Sequence, residues 1–282
     1  MRLALVGHGF MGRTHLASFA SIPGIEPVHV HLTDLDRVLA DPEIDAVDLC
    51  IPTDLHAAAA IVALRAGKHV LVEKPMALDA ASCNRMMDEA ARRGRILMVA
   101  HVLRFSPAYT DLECALAKET VRSAAFRRRC SPPDWAPWFR DPARSGGGPF
   151  DLLIHDTDMA LHLFGSPESI SATGIGDLLS ARLFYAKGVC VEISGGWYPG
   201  EIPFSMDYTV VTRRATFEYN SRLAPFFVDG YAAEIAYFAE CVRESKPPER
   251  CPPAKSACAV RLMLALIAAR ERNGEKIPWI SE

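Results

Sequence analysis

Three groups of residues have types and spacings that could do chemistry. The first is Gly7-x-Gly9-x-x-Gly12 in the stretch LALVGHGFMGRTH, with Phe10 and Met11 between the second and third glycines. Glycines at this spacing allow a tight turn and a close backbone approach, and a following helix offers free N–H groups to a pyrophosphate. The second is Glu73-Lys74-Pro75, which ends the apolar run 69–72. An unpartnered buried charge is costly, so an acid and a base at this place need a reason. A lysine ammonium at a strand end can donate to a substrate oxygen, and Pro75 restricts Lys74 to an extended backbone, which helps to aim the side chain. A surface Glu-Lys pair at a strand end is the competing explanation. The third is SGGGPFDLLIHDTDMALHLFG (145–165), where Asp151, His155, Asp158 and His162 fall at i, i+4, i+7 and i+11. Those spacings predict one polar stripe on an otherwise apolar helix. The stripe spans about 16 Å at 1.5 Å per residue, too far for all four to share one metal ion. It needs partners or a cavity, or else it faces solvent.

The elements around these groups predict where they sit. Up to residue 103, short apolar runs (LALVG, VHVHL, IDAVDLCIP, KHVLVEK, RILMVAHV) alternate with Ala-rich helical segments, the last opening on Asp79 and closing on Gly94. Asp79 is an expected N-cap and Gly94 an expected helix stop. Continuous apolar strands alternating with helices predict an α/β domain with a parallel sheet covered on both faces. Ligands of such a sheet lie beyond the carboxyl ends of its strands. The glycine loop, the strand tail IPTDLH (51–56) and Lys74 then share one edge. After residue 104 the pattern changes to a helix over 107–118, a strand over 121–130 and a Pro/Trp-rich loop, followed by longer alternating segments. Period-two alternation predicts an open, mainly antiparallel sheet with one face wet or used for association. Helices over 231–244 and 255–271 close the chain. The reading divides it into a nucleotide-binding domain, 1–103, and a C-terminal α+β domain, 104–282.

Composition narrows the function. In 282 residues the net charge is −3, which gives no nucleic-acid surface and no disordered tail. No apolar run reaches the roughly 18–20 residues that span a bilayer. The N-terminal apolar run breaks at Gly7 and continues into a motif, which argues against a signal peptide. Eight cysteines without a Cys-x-x-Cys favour reduced thiols and a cytoplasmic location. Arg127-Arg128-Arg129 reads as a solvated strand end.

The adenosine side of the nucleotide motif departs from pattern. An acid is expected about 20 residues beyond the glycines, on the ribose, yet VHVHL ends at Leu32 and Asp34 follows two residues later. Asp34 serves either as the ribose acid or as a helix N-cap. Arg37 lies near enough to suggest a 2′-phosphate, so NAD and NADP both stay open. The stretch 23–43 has room for one strand and one short helix, so one strand–helix segment of the usual nucleotide fold is missing.

Together, the glycine loop, the Glu-Lys-Pro strand end and the Asp-x-x-x-His helix resemble the glucose–fructose oxidoreductase/inositol dehydrogenase/MocA family. The resemblance extends over IPTDLH, AGKHVLVEKP, HVLRFSPAY and YAAEIAYFAECVRESKPPERCPP. It implies a Rossmann domain followed by an open-sheet domain, often used for homo-oligomerisation. The implied activity is hydride transfer between NAD or NADP and a hydroxyl or carbonyl carbon of a sugar, cyclitol or related polyol. By resemblance, Lys74 bonds the reacting oxygen, His155 exchanges its proton, and Asp151 supports that exchange or orients substrate. Pro52, Thr53 and His56 match the loop near the nicotinamide and pyrophosphate, and Glu73 stabilises the site. Arg104 and Trp138 are candidate substrate contacts. The shortened adenosine side keeps two other readings open: a nucleotide-sensing or partner-binding homologue, and a non-redox enzyme that uses NAD transiently.

Overall fold

Strand β1 (Arg2–Val6) is buried at four of its five positions, as expected for a strand flanked on both sides and covered on both faces. It is followed by helix α1 (Phe10–Phe19), strand β2 (Glu26–Val30), the short helix α2 (Leu35–Ala40), β3 (Ala46–Leu49), α3 (His56–Arg65), β4 (His69–Glu73), α4 (Ala80–Arg93) and β5 (Leu97–Ala100). This computed structural model describes residues 1–223 and 229–280. The five strands are all parallel, in the order β2-β1-β3-β4-β5. The chain leaves β1 toward β2 and then crosses to β3 on the other side, so the order reverses between β1 and β3. The crevice outside that reversal is where open α/β sheets bind ligands. Strand β2 is an edge, with exposed Glu26 and Pro27 at its start, a placement that discourages further strand pairing. The strand–helix segment missing from the sequence is thus missing from this edge. Asp79 caps α4 as expected, its carboxylate accepting from Ser82 N–H at 2.7 Å, and Gly94 ends it at φ +59°.

The chain divides into two compact units, and the first is not contiguous: Met1–Ser106 is joined by Phe227–Ala257. The sequence boundary at 103 therefore moves to Ser106, and a later segment returns to the first unit. The reason is packing. Ile235, Phe238 and Cys251 enter one apolar cluster with Leu3, Leu5, Phe19, Ile22, Met98 and Phe105. No local pattern announces such a return.

The second unit comprises Pro107–Phe226 and Cys258–Glu282. Helix α5 (Pro107–Leu116) leads to β6 (Val121–Cys130), a one-turn helix α6 (Pro142–Ser145), and then α7 (Ile154–Phe164), which is preceded by a π-helical turn over Pro149–Leu153. Strands β7 (Ser169–Thr173), β8 (Leu178–Phe184), β9 (Cys190–Trp197), β10 (Ser205–Thr212) and β11 (Thr216–Asn220) follow. The chain then returns to the first unit as α8 (Asp229–Glu244), and α9 (Pro253–Arg270) carries it back to the second. The last strand, β12 (Ile277–Pro278), joins the second sheet, whose order is β11-β10-β6-β9-β8-β7-β12. Its pairs are antiparallel except β6 with β9, so the expected mainly antiparallel sheet is present with one parallel pair. Strand β8 alternates buried Leu179, Ala181 and Leu183 with exposed Ser180 and Arg182, one apolar face and one wet face.

The basic run on β6 differs from its sequence reading as a solvated strand end. Arg127 and Arg129 pair with Asp207 on β10, but Arg128 is buried and meets both oxygens of buried Asp156 on α7, at 3.1 and 3.0 Å. Strand alternation puts the middle arginine on the covered face. Breaking a buried pair from one side leaves an uncompensated charge and costs about 3–5 kcal/mol, whereas a surface pair is worth about 0–1 kcal/mol. Urea unfolding of Asp156→Ala should show a loss of that larger size, and Arg127→Ala a loss within the smaller range.

Candidate functional site: the glycine loop and the strand ends

At the carboxyl end of β1, the glycine loop passes against β3 with no space to spare. Gly7 has φ +123°, and a Cβ built on it would lie 2.2 Å from the carbonyl oxygen of Cys50. A Cβ on Gly12 would lie 2.1 Å from the Gly7 oxygen. The Gly7 N–H donates to Val30 O, and its carbonyl lies 2.8 Å from Nε2 of His29. Gly9 is different: its φ is −71°, and its Cβ would meet nothing within 4 Å. Two glycines thus close the turn, and the middle one borders open space at the start of α1. That helix start carries no side-chain cap and no acid in its first turn. Free N–H groups and the helix dipole suit an anion there, so the loop fits a dinucleotide pyrophosphate. Phe10 is largely exposed beside this opening, and Met11 packs against the apolar core.

On the adenosine side, no acid ends β2. Exposed His31 stands directly after Val30, and Asp34 lies farther on, at the N-cap position of α2, without making a side-chain cap bond. His8 of the glycine loop stacks on His29 at 3.7 Å and on His31 at 3.8 Å between ring centroids. Some burial, and then the neighbouring imidazoles of His29 and His31, hold His8 below its ordinary range, while Asp34 acts the other way. Arg37, on α2, is exposed.

The acid of the Glu-Lys strand end belongs to a buried polar cluster. Glu73 at the end of β4 is buried, and its Oε2 accepts the backbone N–H of Lys74 at 3.0 Å. Its Oε1 lies 3.1 Å from Nε2 of His15, an ion-pair contact without straight hydrogen-bond geometry. Nδ1 of the same ring bonds Asp48 Oδ2 on β3 at 2.8 Å. Cys50 Sγ lies 3.4 Å from that nitrogen. His15 and Asp48 are wholly buried, and so is Glu234 on α8. Burial opposes charge on His15, yet Asp48 carries the imidazole well above its ordinary range. Burial also works to raise Glu73, but the His15 contact outweighs it and the carboxyl is lowered. Burial, and then Glu73, push Glu234 well above the carboxylate range; His15 acts to lower the carboxyl but is outweighed, so Glu234 is a neutral acid. Burial pushes the Cys50 thiol up as well.

Other expected residues take structural partners. Lys74 is half-buried at the carboxyl end of β4, and Pro52 and the buried Thr53 lead into α3 at the same edge of the sheet. His56, expected at the cofactor, is buried, with Nδ1 2.8 Å from Pro75 O and Nε2 3.0 Å from Ile51 O. It braces two strand ends. Arg104, expected at the substrate, is 2% exposed and donates to Arg250 O at 2.7 Å, while Arg250 donates to Arg104 O at the same distance.

In the second unit, the polar helix is not one regular stripe. Asp151 sits in the π-helical turn and accepts from Trp197 Nε1 at 3.2 Å. His155 and Asp158 lie on α7, half-buried and buried respectively, and His162 Nε2 pairs with Glu113 at 2.9 Å. The turn shifts the spacing that a uniform α-helix gives, and such turns recur at functional sites. Trp138 stacks on Phe139 at 4.0 Å, and Phe139 meets Trp197 edge-on at 6.1 Å. A cavity of about 510 Å³ adjoins them, lined by Asp134, Phe139, Arg140, Asp177, Trp197 and Glu201 among others. Sequence reasoning missed His15, Asp48 and Trp197. A histidine three residues past Gly12, one helical turn along, was the available signal for the first.

Gly9→Val should leave the melting temperature near that of the parent and remove NADH binding in a fluorescence titration. Gly12→Ala should unfold the domain, because its Cβ has nowhere to go. Glu234 sets a pH dependence. Its folded value lies above the unfolded one near 4.5, so the folded state holds the extra proton and stability falls as pH rises above the unfolded value. The slope is at most about 1.4 kcal/mol per pH unit, and it ends when pH passes the raised folded value. In urea unfolding from pH 5 to 8, Glu234→Gln should flatten this decline and exceed the parent in stability at pH 8.

Comparison with known proteins agrees with this arrangement. Residues 18–101 match the model of an oxidoreductase family with an NAD-binding Rossmann fold, and residues 119–201 match the GFO/IDH/MocA C-terminal domain. The scyllo-inositol 2-dehydrogenase (NAD(+)) of Bacillus subtilis (strain 168) is 25% identical over 300 residues, covering 88% of this chain and 88% of that protein. The 4-carboxy-2-hydroxymuconate-6-semialdehyde dehydrogenase of Sphingobium sp. (strain NBRC 103272 / SYK-6) is 35% identical over 155 residues, 46% of this chain and 49% of that protein. Among solved structures, GenD2 from gentamicin A biosynthesis, in complex with NAD, superposes with a TM-score of 0.88 at 20% identity, covering 99% of this chain and 96% of that one. Among the described residues, no helix is long and apolar enough to cross a membrane. With both family domains matched in order over more than half its length, the chain belongs to the Gfo/Idh/MocA family of oxidoreductases.

Proposed function

We propose that this protein is an NAD(P)-dependent dehydrogenase acting on a CH–OH group of a sugar, cyclitol or related polyol. The observation that carries the reading is the position of Lys74. It stands at the carboxyl end of β4, on the sheet edge where the glycine loop leaves β1, with Glu73 buried behind it. The family's dehydrogenases support the redox reading and do not favour a sensing role.

The nicotinamide, when bound, accepts or returns the hydride. The chain's own residues do the rest. The turn of Gly7, Gly9 and Gly12, with Phe10 and Met11, holds the pyrophosphate on the N–H groups of α1, while Pro52 and Thr53 flank the same strand edge. Lys74 donates to the substrate oxygen as its charge changes. His155 takes or returns the hydroxyl proton. Asp151 orients substrate or that imidazole, and it is itself held by Trp197. Trp138 presents an aromatic surface suited to a sugar ring. General acid–base help of this kind is worth roughly 10²–10⁴ in rate. The protein works in the cytoplasm as a homo-oligomer through the wet face of its second sheet, a reading that rests on the free cysteines and on the exposed alternate positions of β8.

Reduction of NAD+ and of NADP+ should be followed at the nicotinamide absorbance with scyllo-inositol, myo-inositol and glucose as probes. Turnover of at least one is expected, with Lys74→Ala and His155→Ala each slower by about 100-fold or more and NADH affinity unchanged. Tight cofactor binding without reduction by any polyol would overturn the dehydrogenase reading.

A further inference from the structure

We infer that His15 is a positioning residue: an imidazolium locked between Asp48 and Glu73 that keeps Glu73 ionised against Lys74, so that the helix of the glycine loop sets the charge balance around that lysine. The importance of Lys74 rests on the function proposed above; the state of His15 does not.

The geometry carries the assignment. Nδ1 of His15 lies 2.8 Å from a carboxylate oxygen of Asp48, and Nε2 lies 3.1 Å from one of Glu73. A neutral imidazole has one N–H, taken up by Asp48 at Nδ1, so only the doubly protonated ring also presents an N–H and a positive charge at the Nε2 ion-pair contact with Glu73. The ring is fully buried, and water cannot stand in for either partner. The groups facing it come from every packed element: Asp48 and the Cys50 thiol from β3 and its end, Glu73 from β4, and Glu234 and Tyr231 from α8. With Glu234 neutral, the charges of Asp48, Glu73, His15 and Lys74 cancel. Substituting His15 by a neutral residue leaves Asp48 and Glu73 buried without the cation between them, and one of them must take up a proton, as paired acids do. Nδ1, Asp48 and Cys50 are also close enough to ligate one small cation. The 2.8 Å contact, however, is the length of a charge-assisted hydrogen bond, and the site is assigned to a proton.

Two measurements test this without turnover. In ¹H–¹⁵N spectra of protein labelled at histidine, the His15 ring should show both nitrogens protonated throughout pH 6 to 8. The signal is assigned by its loss in His15→Asn. In parallel, competitive acetylation read by peptide mass spectrometry compares Lys74 among the parent, His15→Asn and Glu73→Gln. Glu73→Gln keeps shape and acceptor but removes the charge, so it stays informative if His15→Asn fails to fold. With the opposite charge beside it removed, Lys74 should acetylate about tenfold faster at pH 8 in Glu73→Gln, and in His15→Asn to the extent that Glu73 is the acid that takes up the proton. Lys68, which donates to Asp41 O and Ile44 O, serves as the unchanged reference. A singly protonated His15 ring at pH 7, a stoichiometric metal in the purified protein, or unchanged Lys74 reactivity in Glu73→Gln would each overturn the inference. A protein that oxidises no polyol would fail the proposed function while leaving both readouts intact.

Discussion

Much of the first unit follows from one close approach: the backbone of the glycine loop against the backbone that ends β3. Gly7 meets the Cys50 carbonyl, and Gly12 sits over the Gly7 carbonyl, at distances no side chain allows. That contact lays α1 directly on the sheet. One turn beyond Gly12, the helix then delivers His15 onto β3 and β4, where Asp48 and Glu73 meet it. The phosphate end and the lysine end of the sheet are therefore two outcomes of one packing constraint. An open, uncapped helix start and the buried partner of Glu73 behind Lys74 come from the same helix.

The nucleotide half is shorter than the usual pattern, and the edge shows how the chain closes it. Strand β2 ends the sheet, with a proline and an acid at its exposed start. At its other end, three stacked imidazoles occupy the place where a carboxylate ordinarily selects the ribose. A carboxylate repels a 2′-phosphate at any neutral pH. A neutral imidazole does not, and His8 is held below its ordinary range by some burial and then by His29 and His31.

The local features of the fold were legible because their causes are local. Alternation of buried strands with helices, the glycine spacing, the Asp79 cap and the Gly94 stop all depend on neighbours within a few residues. What escaped depends on distant pairs. His15 is a polar helix residue until Asp48 and Glu73 close on it. Arg128 reads as surface charge until Asp156 arrives from another element. Arg104 and His56 looked available for ligands, yet their polar atoms meet backbone carbonyls that no motif specifies. The stripe of Asp151 and His155 was placed by counting at α-helical pitch, and the π-helical turn over Pro149–Leu153 breaks that count. The residues were legible, but their partners were not.

The return of α8 to the first unit bears on how the chain is made. During synthesis, Phe19, Ile22 and Phe105 emerge long before Ile235, Phe238 and Cys251, which complete their cluster. The nascent first unit thus carries an open apolar face while the whole of Pro107–Phe226 is translated. The cost of closing a loop grows with its flexible length, and the intervening unit removes most of that flexibility when it folds. The second unit is likewise completed only by Cys258–Glu282, so both units close late in synthesis. A chain that stops before α8 lacks Ile235, Phe238 and Cys251 and leaves their share of the apolar cluster uncovered.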